Sequence, residues 1–278
     1  MSSQRIQNST VSALNSNSRV LDADLIFSYL SLDKPESIDV LDSIESTNSY
    51  LLERPISRQA ARACFAESQT AGRGRHGNNW QSTPYRNIMF SLSWGFCGWP
   101  KDISALSLAI GLGVTKMLND EYDIGASIKW PNDVLVKDAK LAGVLIDVAG
   151  HSKSDCQVVV GVGLNVDQAE WDQAIEYSWC DLRALGVKVD RNILAAKLID
   201  VIVLVLRSFG SSGFGPMVEA WNELSAFSGR RVQLRQVDKS FDGLMLGVEA
   251  DGALLIQTDS GLVQRISDSR ASLRVIDI

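Results

Sequence analysis

The sequence predicts an α/β domain on a mixed sheet, followed by a small all-β domain. Three observations carry that expectation. Short β-rich segments alternate with helical periods, yet some neighbouring strands are separated only by turns. That pattern requires hairpins and argues against a doubly wound parallel sheet. The texture changes at Gly229, beyond which only short strands and tight turns follow. A chain of 278 residues also has room for one large domain and one small one.

The elements follow in chain order. Residues 1–20 are rich in Ser, Asn and Gln with no apolar period and read as a disordered leader. A short amphipathic helix, Ala23–Leu30, leads to a strand over Ile38–Ile44. Ser46-Thr47-Asn48 then offers caps to a helix containing Tyr50-Leu51-Leu52. Strands are expected over Cys64–Glu67 and Ile88–Trp94, on either side of a stretch dense in glycine and arginine. Asp102 is placed as the cap of a helix on which Leu106, Ala109, Ile110, Val114 and Met117 recur at helical spacing. Four β-rich segments come next: Ser127–Trp130, Asp133–Lys137, Leu141–Val148 and Gln157–Leu164. A turn at Lys137-Asp138-Ala139 makes 133–148 a hairpin. Helices Arg191–Arg207, capped by Asp190, and Pro216–Leu224 complete a domain over 21–228. Residues 229–278 hold strands at Arg231–Gln236, Gly243–Glu249, Ala253–Thr258 and Leu262–Ile266, with turns at Asp251-Gly252 and Ser260-Gly261. A β-barrel of that size is marginal alone, so it should pack against the larger domain.

Composition narrows the function classes. Hydrophobic residues make up 45% of the chain and charged ones 22%, enough apolar surface for a substantial core. The net charge of −6 argues against broad nucleic-acid affinity but leaves room for a locally basic pocket. Cys64, Cys97, Cys156 and Cys180 show no CxxC spacing, and there are two histidines. Neither a zinc site nor a disulfide framework fits, and buried free thiols in a reducing compartment do. No basic segment precedes an apolar one at the N-terminus, and the longest apolar run, Ile199–Leu206, is interrupted by Asp200. The expectation is a cytoplasmic protein without membrane contact.

Four stretches suggest chemistry. Gln69-Thr70-Ala71-Gly72-Arg73-Gly74-Arg75-His76-Gly77 sets arginines among glycines. The backbone can approach an anion closely there, and two forked donors add fixed charge. It lacks the G-K-[ST] ending of a phosphate-binding Walker loop, and an exposed basic turn is the plain alternative. With almost nothing to bury, it should stay mobile until an anion arrives. Lys129-Trp130-Pro131-Asn132-Asp133 ends a strand at proline and exposes polar side chains, or else makes only an Asn/Asp turn. Lys140-Leu141-Ala142-Gly143-Val144-Leu145 opens an apolar strand with a lysine that either meets a phosphate or reaches solvent. Gly161-Val162-Gly163-Leu164-Asn165 removes side chains that would fill a pocket, or marks a bulge.

In this order, after the Ser46-Thr47-Asn48 segment, the motifs resemble the catalytic core of the biotin protein ligases, from about Leu21 to the C-terminus. The resemblance implies a class II aminoacyl-tRNA-synthetase-like catalytic domain with an SH3-like terminal barrel. It implies biotin contacts from Ser46, Thr47, Asn48, Gln69, Gly72, Arg73, Gly74, Arg75, Lys140, Gly143, Gly161 and Gly163. It implies nucleotide contacts from Arg75, Lys129, Asn132, Asn165, Trp179 and Arg274, and no protein-held metal. Arg73, Arg75 and Lys140, with magnesium on the ATP, would reduce repulsion between biotin's carboxylate and the α-phosphate. Asp133 is the candidate for taking the proton of the attacking lysine. The substrates implied are biotin and ATP, and the partner is a biotin carboxyl carrier protein. A homodimer is left open. Some members carry an N-terminal DNA-binding domain; about twenty polar residues ahead of the likeness are too few for one, so operator binding is not expected. A lipoate–protein ligase is the nearest rival, although that group's glycine-rich signature and His-Asp pair are missing. A biotin sensor without catalysis is another, and a basic-loop RNA binder is a distant third.

Overall fold

A computed structural model describes residues 20–276, apart from 33, 55–59, 153–154, 169–177, 237–239 and 269. The expected leader thus lies, Val20 excepted, outside the described residues. The first domain contains α1 (Ala23–Tyr29), β1 (Ser37–Leu41), α2 (Thr47–Leu52), β2 (Ala61–Ala66) and β3 (Ile88–Cys97). It continues through α3 (Leu106–Tyr122), β4 (Ser127–Lys129), β5 (Asp133–Val136), β6 (Ala139–Ser152), β7 (Asp155–Leu164), α4 (Arg191–Ser212) and α5 (Val218–Glu223). Its seven strands lie in the order β1-β2-β3-β7-β6-β5-β4. Only β1 and β2 are parallel; every other neighbouring pair is antiparallel, as the hairpin reading requires.

Alternation along the strands divides the sheet into two faces. Phe65, Phe90, Leu92, Val158, Val160 and Val162 join the main core, which includes residues of α1, α3 and α4. Cys64 and Val159 point the other way and pack with Leu51 of α2. Arg191 and Glu67, both buried, pair at 2.6 Å, and Glu67 also accepts the Leu21 backbone N–H. A buried pair of this kind is held because further hydrogen bonds satisfy it, here including Arg191 to the Asn87 carbonyl.

Two local expectations change. The strand predicted over Ile38–Ile44 stops at Leu41, and Ile44 returns only as an isolated bridge to Gln69. Asp102 does not cap α3. It sits at φ 57° before a 3₁₀ turn, Ile103–Ala105, and its side chain makes no cap bond. Ser46 and Asp190 do cap, accepting from Ser49 N and Asn192 N respectively.

The second domain is an antiparallel sheet of β8 (Arg231–Arg235), β9 (Ser240–Val248), β10 (Leu254–Gln257), β11 (Val263–Ile266) and β12 (Ser272–Val275), in the order β11-β10-β9-β8-β12. Among the described residues no pairing joins β11 to β12, so the ladder is open where a barrel is expected. The fifth strand, β12, pairs with β8 and brings the chain end back toward the first domain. The domains are clasped by polar bonds as well as apolar burial. Trp130 Nε1 donates to the Gly252 carbonyl at 3.2 Å, and Asn222 exchanges two bonds with the Val248 backbone. The expectation that the small domain packs on the large one is met.

Candidate active site

Sheet register assembles one cavity of about 650 Å³ on the α2 face. Met89, Gly163, Gly143, Asp133 and Lys129 stand opposite one another across five strands. The adjoining row is Cys64, Ser91, Gly161 and Leu145, and the next is Ser93, Val159 and Asp147. Directly paired residues share a sheet face. Strand motifs far apart in sequence therefore meet without any loop having to carry them.

The glycines do something more specific than open space. A Cβ on Gly163 would lie 2.3 Å from the Trp80 indole, and one on Gly161 would lie 2.2 Å from Asn48 Oδ1. The room they vacate is thus occupied by the chain's own indole and carboxamide. Trp80, three residues beyond the basic loop, lies across the Gly163 and Gly143 backbone as a wall of the cavity.

One end of the cavity is neutral and buried. Ser46, Thr47 and Asn48 are each under 5% exposed, held by α2's first turn. Gln69 Oε1 accepts from Thr47 N at 2.8 Å. Ser91 Oγ lies 2.7 Å from Thr47 Oγ1 and 2.6 Å from Asn48 Oδ1. Asn48 Nδ2 donates to Asp147.

The other end carries surplus positive charge. Lys140 Nζ is 2.6 Å from Asp133 Oδ1 and Lys129 Nζ is 4.0 Å from Oδ2, so two ammonium groups share one carboxylate. Burial pushes the Lys129 ammonium below its ordinary range. Asp133 opposes that shift, while the charges of Lys140 and Arg274 add to it. Arg274 of β12 is therefore felt electrostatically inside the pocket from the second domain. Burial likewise lowers the Arg75 guanidinium, against the pull of Asp133 and Asp268. Lys140 also stands 5.6 Å from the Trp80 ring centroid, within cation–π range.

The basic loop is folded back on itself, although its sequence offers little to bury. Gly74 N donates to Asn78 O and Trp80 N to Gly72 O, around a 3₁₀ turn at Arg75–Gly77. Polar pairing rather than burial gives it shape. Arg73 forks onto Asp147 at 3.0 and 3.2 Å, and Arg75 reaches Asn132 Oδ1 at 3.2 Å. Asn132 is itself pinned by its Nδ2 bond to the Val144 carbonyl.

All expected site residues line this cavity except Gly72, which lies behind it with its carbonyl bound to Trp80 N. Asn165 spends its amide on the carbonyls of Lys140 and Cys180, which clasps Trp179 alongside Lys140. Lys140 meets a carboxylate of its own chain, Asp133, and is half-buried. Sequence reasoning missed Ser91 and Asp147. A lone acid two and four positions on from Leu145 and Gly143, at strand spacing, was the legible signal for Asp147.

Comparison with known proteins gives a consistent result. The Biotin/lipoate A/B protein ligase family profile matches residues 40–165, and the Biotin protein ligase C terminal domain profile matches residues 227–274. The bifunctional ligase/repressor BirA of Salmonella typhimurium is 36% identical over 257 residues, covering 92% of this chain and 79% of that protein. The biotin–[acetyl-CoA-carboxylase] ligase of Mycobacterium tuberculosis is 37% identical over 178 residues, 58% of this chain and 61% of the relative. The biotin protein ligase of Aquifex aeolicus, solved in complex with biotin and ATP, superposes with a TM-score of 0.74 at 28% identity. That match covers 87% of this chain and all of the other.

Proposed function

Because this chain belongs to the biotin protein ligase family, we propose that its cavity joins biotin to the α-phosphate of ATP and passes the biotinyl group to a lysine of a biotin carboxyl carrier protein. The observation that carries the reading is a single cavity with a neutral hydrogen-bonding end and a cationic one. A neutral ring needs a few directed bonds in a buried setting, which Ser46, Thr47, Asn48 and Gln69 supply. The valerate carboxylate and the phosphates need charge, which Arg73, Arg75 and Lys140 supply. Lys129, Asn132 and Arg274 take the nucleotide, with Trp179 held for it by Asn165. Gly143, Gly161 and Gly163 let Trp80 and Asn48 lie close against the strands, and through them shape the biotin end.

In the first step a carboxylate oxygen forms a bond to the α-phosphorus and pyrophosphate leaves. Two anions must approach, and fixed cations in a partly buried site lower that barrier. Lys140 exchanges Asp133 for the α-phosphate as the nucleotide arrives. Magnesium enters with the ATP as part of the substrate and neutralises phosphate charge. In the second step the acceptor amine attacks the carbonyl of the mixed anhydride and AMP leaves. Asp133, released by Lys140, takes the amine's proton. The catalytic fold is assigned to the class II synthetase type and the second domain to the SH3-like type, supported by its five short antiparallel strands. All four cysteines are free thiols, which accords with a cytoplasmic setting, although only Cys64 and Cys156 are buried, Cys180 being half-buried and Cys97 exposed.

The test is pyrophosphate release with biotin or lipoate as the only added acid. Release with biotin alone is expected. Release with lipoate alone would favour the rival ligase, and biotin binding without release would favour a sensor. Arg75→Gly should still consume ATP but leak biotinyl-AMP into solution; an equally retained adenylate contradicts its role in closing the site.

A further inference from the structure

We propose that Asp147 is a positioning residue that sets the direction of a hydrogen-bond relay through the neutral end of the cavity. The inference rests on the biotin reading and goes beyond it, since Asp147 has no place in the motifs that suggested that reading. The starting point is proton counting. Ser91 Oγ is within hydrogen-bond distance of both Thr47 Oγ1, at 2.7 Å, and Asn48 Oδ1, at 2.6 Å. A hydroxyl carries one proton, so Ser91 donates to one neighbour and accepts from the other.

The far end of the chain decides which. An ionised carboxylate only accepts, so Asn48 must turn its Nδ2 to Asp147 Oδ2, at 2.9 Å. Its Oδ1 then faces Ser91, which donates to it. Ser91 in turn accepts from Thr47 at 2.7 Å, the shorter of the two contacts open to the Thr47 hydroxyl, the other being Gln69 Oε1 at 3.2 Å, and the Thr47 proton is thereby spent. Gln69 Oε1 is already taken by the Thr47 backbone N–H at 2.8 Å. Thr47 is left presenting lone pairs, and Gln69 is left with its Nε2 donors. A cyclic urea has N–H donors beside a carbonyl acceptor, and this polarity is its complement. Reversed, the same side chains would present a donor to a donor.

Two features hold Asp147 in place for this task. Arg73 forks onto it at 3.0 and 3.2 Å, so the basic loop fixes both carboxylate oxygens. Asn48 cannot retreat from its orientation sideways, because it lies on the Gly161 backbone. The loop that meets the anionic part of the substrate is thus wired to the polarity of the site for its neutral part.

A double-mutant cycle read by calorimetric biotin binding to the full chain tests this. Asp147→Asn presents Asn48 with either a donor or an acceptor, and should weaken biotin about tenfold. In a Ser91→Ala background, where the relay is already cut, the same change should cost less than about twofold. Asp147→Glu, which keeps an acceptor-only group, should retain most of the affinity. Equal losses from Asp147→Asn in both backgrounds, or no loss at all, would overturn the relay. Should Asp147→Asn prove too unstable to titrate, Ser91→Ala alone decides, and unchanged biotin affinity there overturns it. A parent protein that binds no biotin would sink the family-based reading and the relay together. Normal parent binding without coupling would sink the relay alone.

Discussion

The two ends of the cavity are built on opposite principles. At the neutral end, Thr47, Asn48 and Ser91 are buried, close-packed and hydrogen-bonded to one another, and Gly161 leaves no slack beneath them. At the cationic end, Lys129, Lys140, Arg75 and Arg274 bring their charges close to one another or to Asp133, and burial already lowers two of the four. The difference teaches how one pocket handles two kinds of ligand. A neutral ring is recognised by geometry prepared in advance, while an anion is awaited by charge that its arrival relieves. The comparison predicts that variants at the two ends fail differently.

The largest effect is expected from Lys140→Met, which keeps much of the side-chain length and removes the charge. Adenylate formation should fall at least 100-fold, about 3 kcal/mol in the transition state, while biotin binding changes much less. Single-turnover rates and biotin titrations on the same preparation check both halves. A parallel loss of binding and rate would merge the two ends into one.

Gly163→Ala probes the packed side. Its new Cβ would meet the Trp80 indole at 2.3 Å, and overpacking of this kind destabilises by about 1–3 kcal/mol. Thermal unfolding should show the loss even without ligand, together with weaker biotin binding. An unchanged melting temperature would mean that the indole moves freely and that this wall is not prepared in advance.

The smallest effect is a pH dependence at Lys129. Its ammonium titrates below the ordinary 10.5 because burial disfavours the charge. Between the lowered value and 10.5 the unfolded chain binds more protons, so this residue makes folding stability rise with pH across that window. Nucleotide affinity should fall over the same window, as the charge is lost. Lys129→Arg should flatten both trends, since a guanidinium stays protonated there. Binding of a non-hydrolysable ATP analogue against pH, for parent and variant, is the measurement. Identical profiles would remove Lys129 from the nucleotide end.

How much of this was legible in the letters follows the same division. The order of most strands and helices and the caps at Ser46 and Asp190 are local properties, and they could be read. So could the basic loop and Lys140, because charge set among glycines or in an apolar strand stands out. Register could not be read. Gly143, Gly163, Asp133 and Lys129 form one row only once three strand pairings are known, and no local pattern states those pairings. The same gap explains why the glycines read as empty space, when Trp80 and Asn48 occupy it. Asp102 misled because its backbone adopts the left-handed region, which a cap rule based on residue type does not foresee. β12 is not among the expected strands, since what defines it is its pairing with β8, about forty residues earlier in the chain.

The central claim is that this cavity forces a carboxylate and a nucleotide together and then holds the product. Incubating the protein with labelled biotin, ATP and magnesium, followed by rapid gel filtration, tests it most directly. Acid-labile biotinyl-AMP should travel with the parent protein and be absent with Lys140→Met. Protein that elutes with unmodified biotin and intact ATP, or a Lys140→Met variant that carries as much adenylate as the parent, would contradict it.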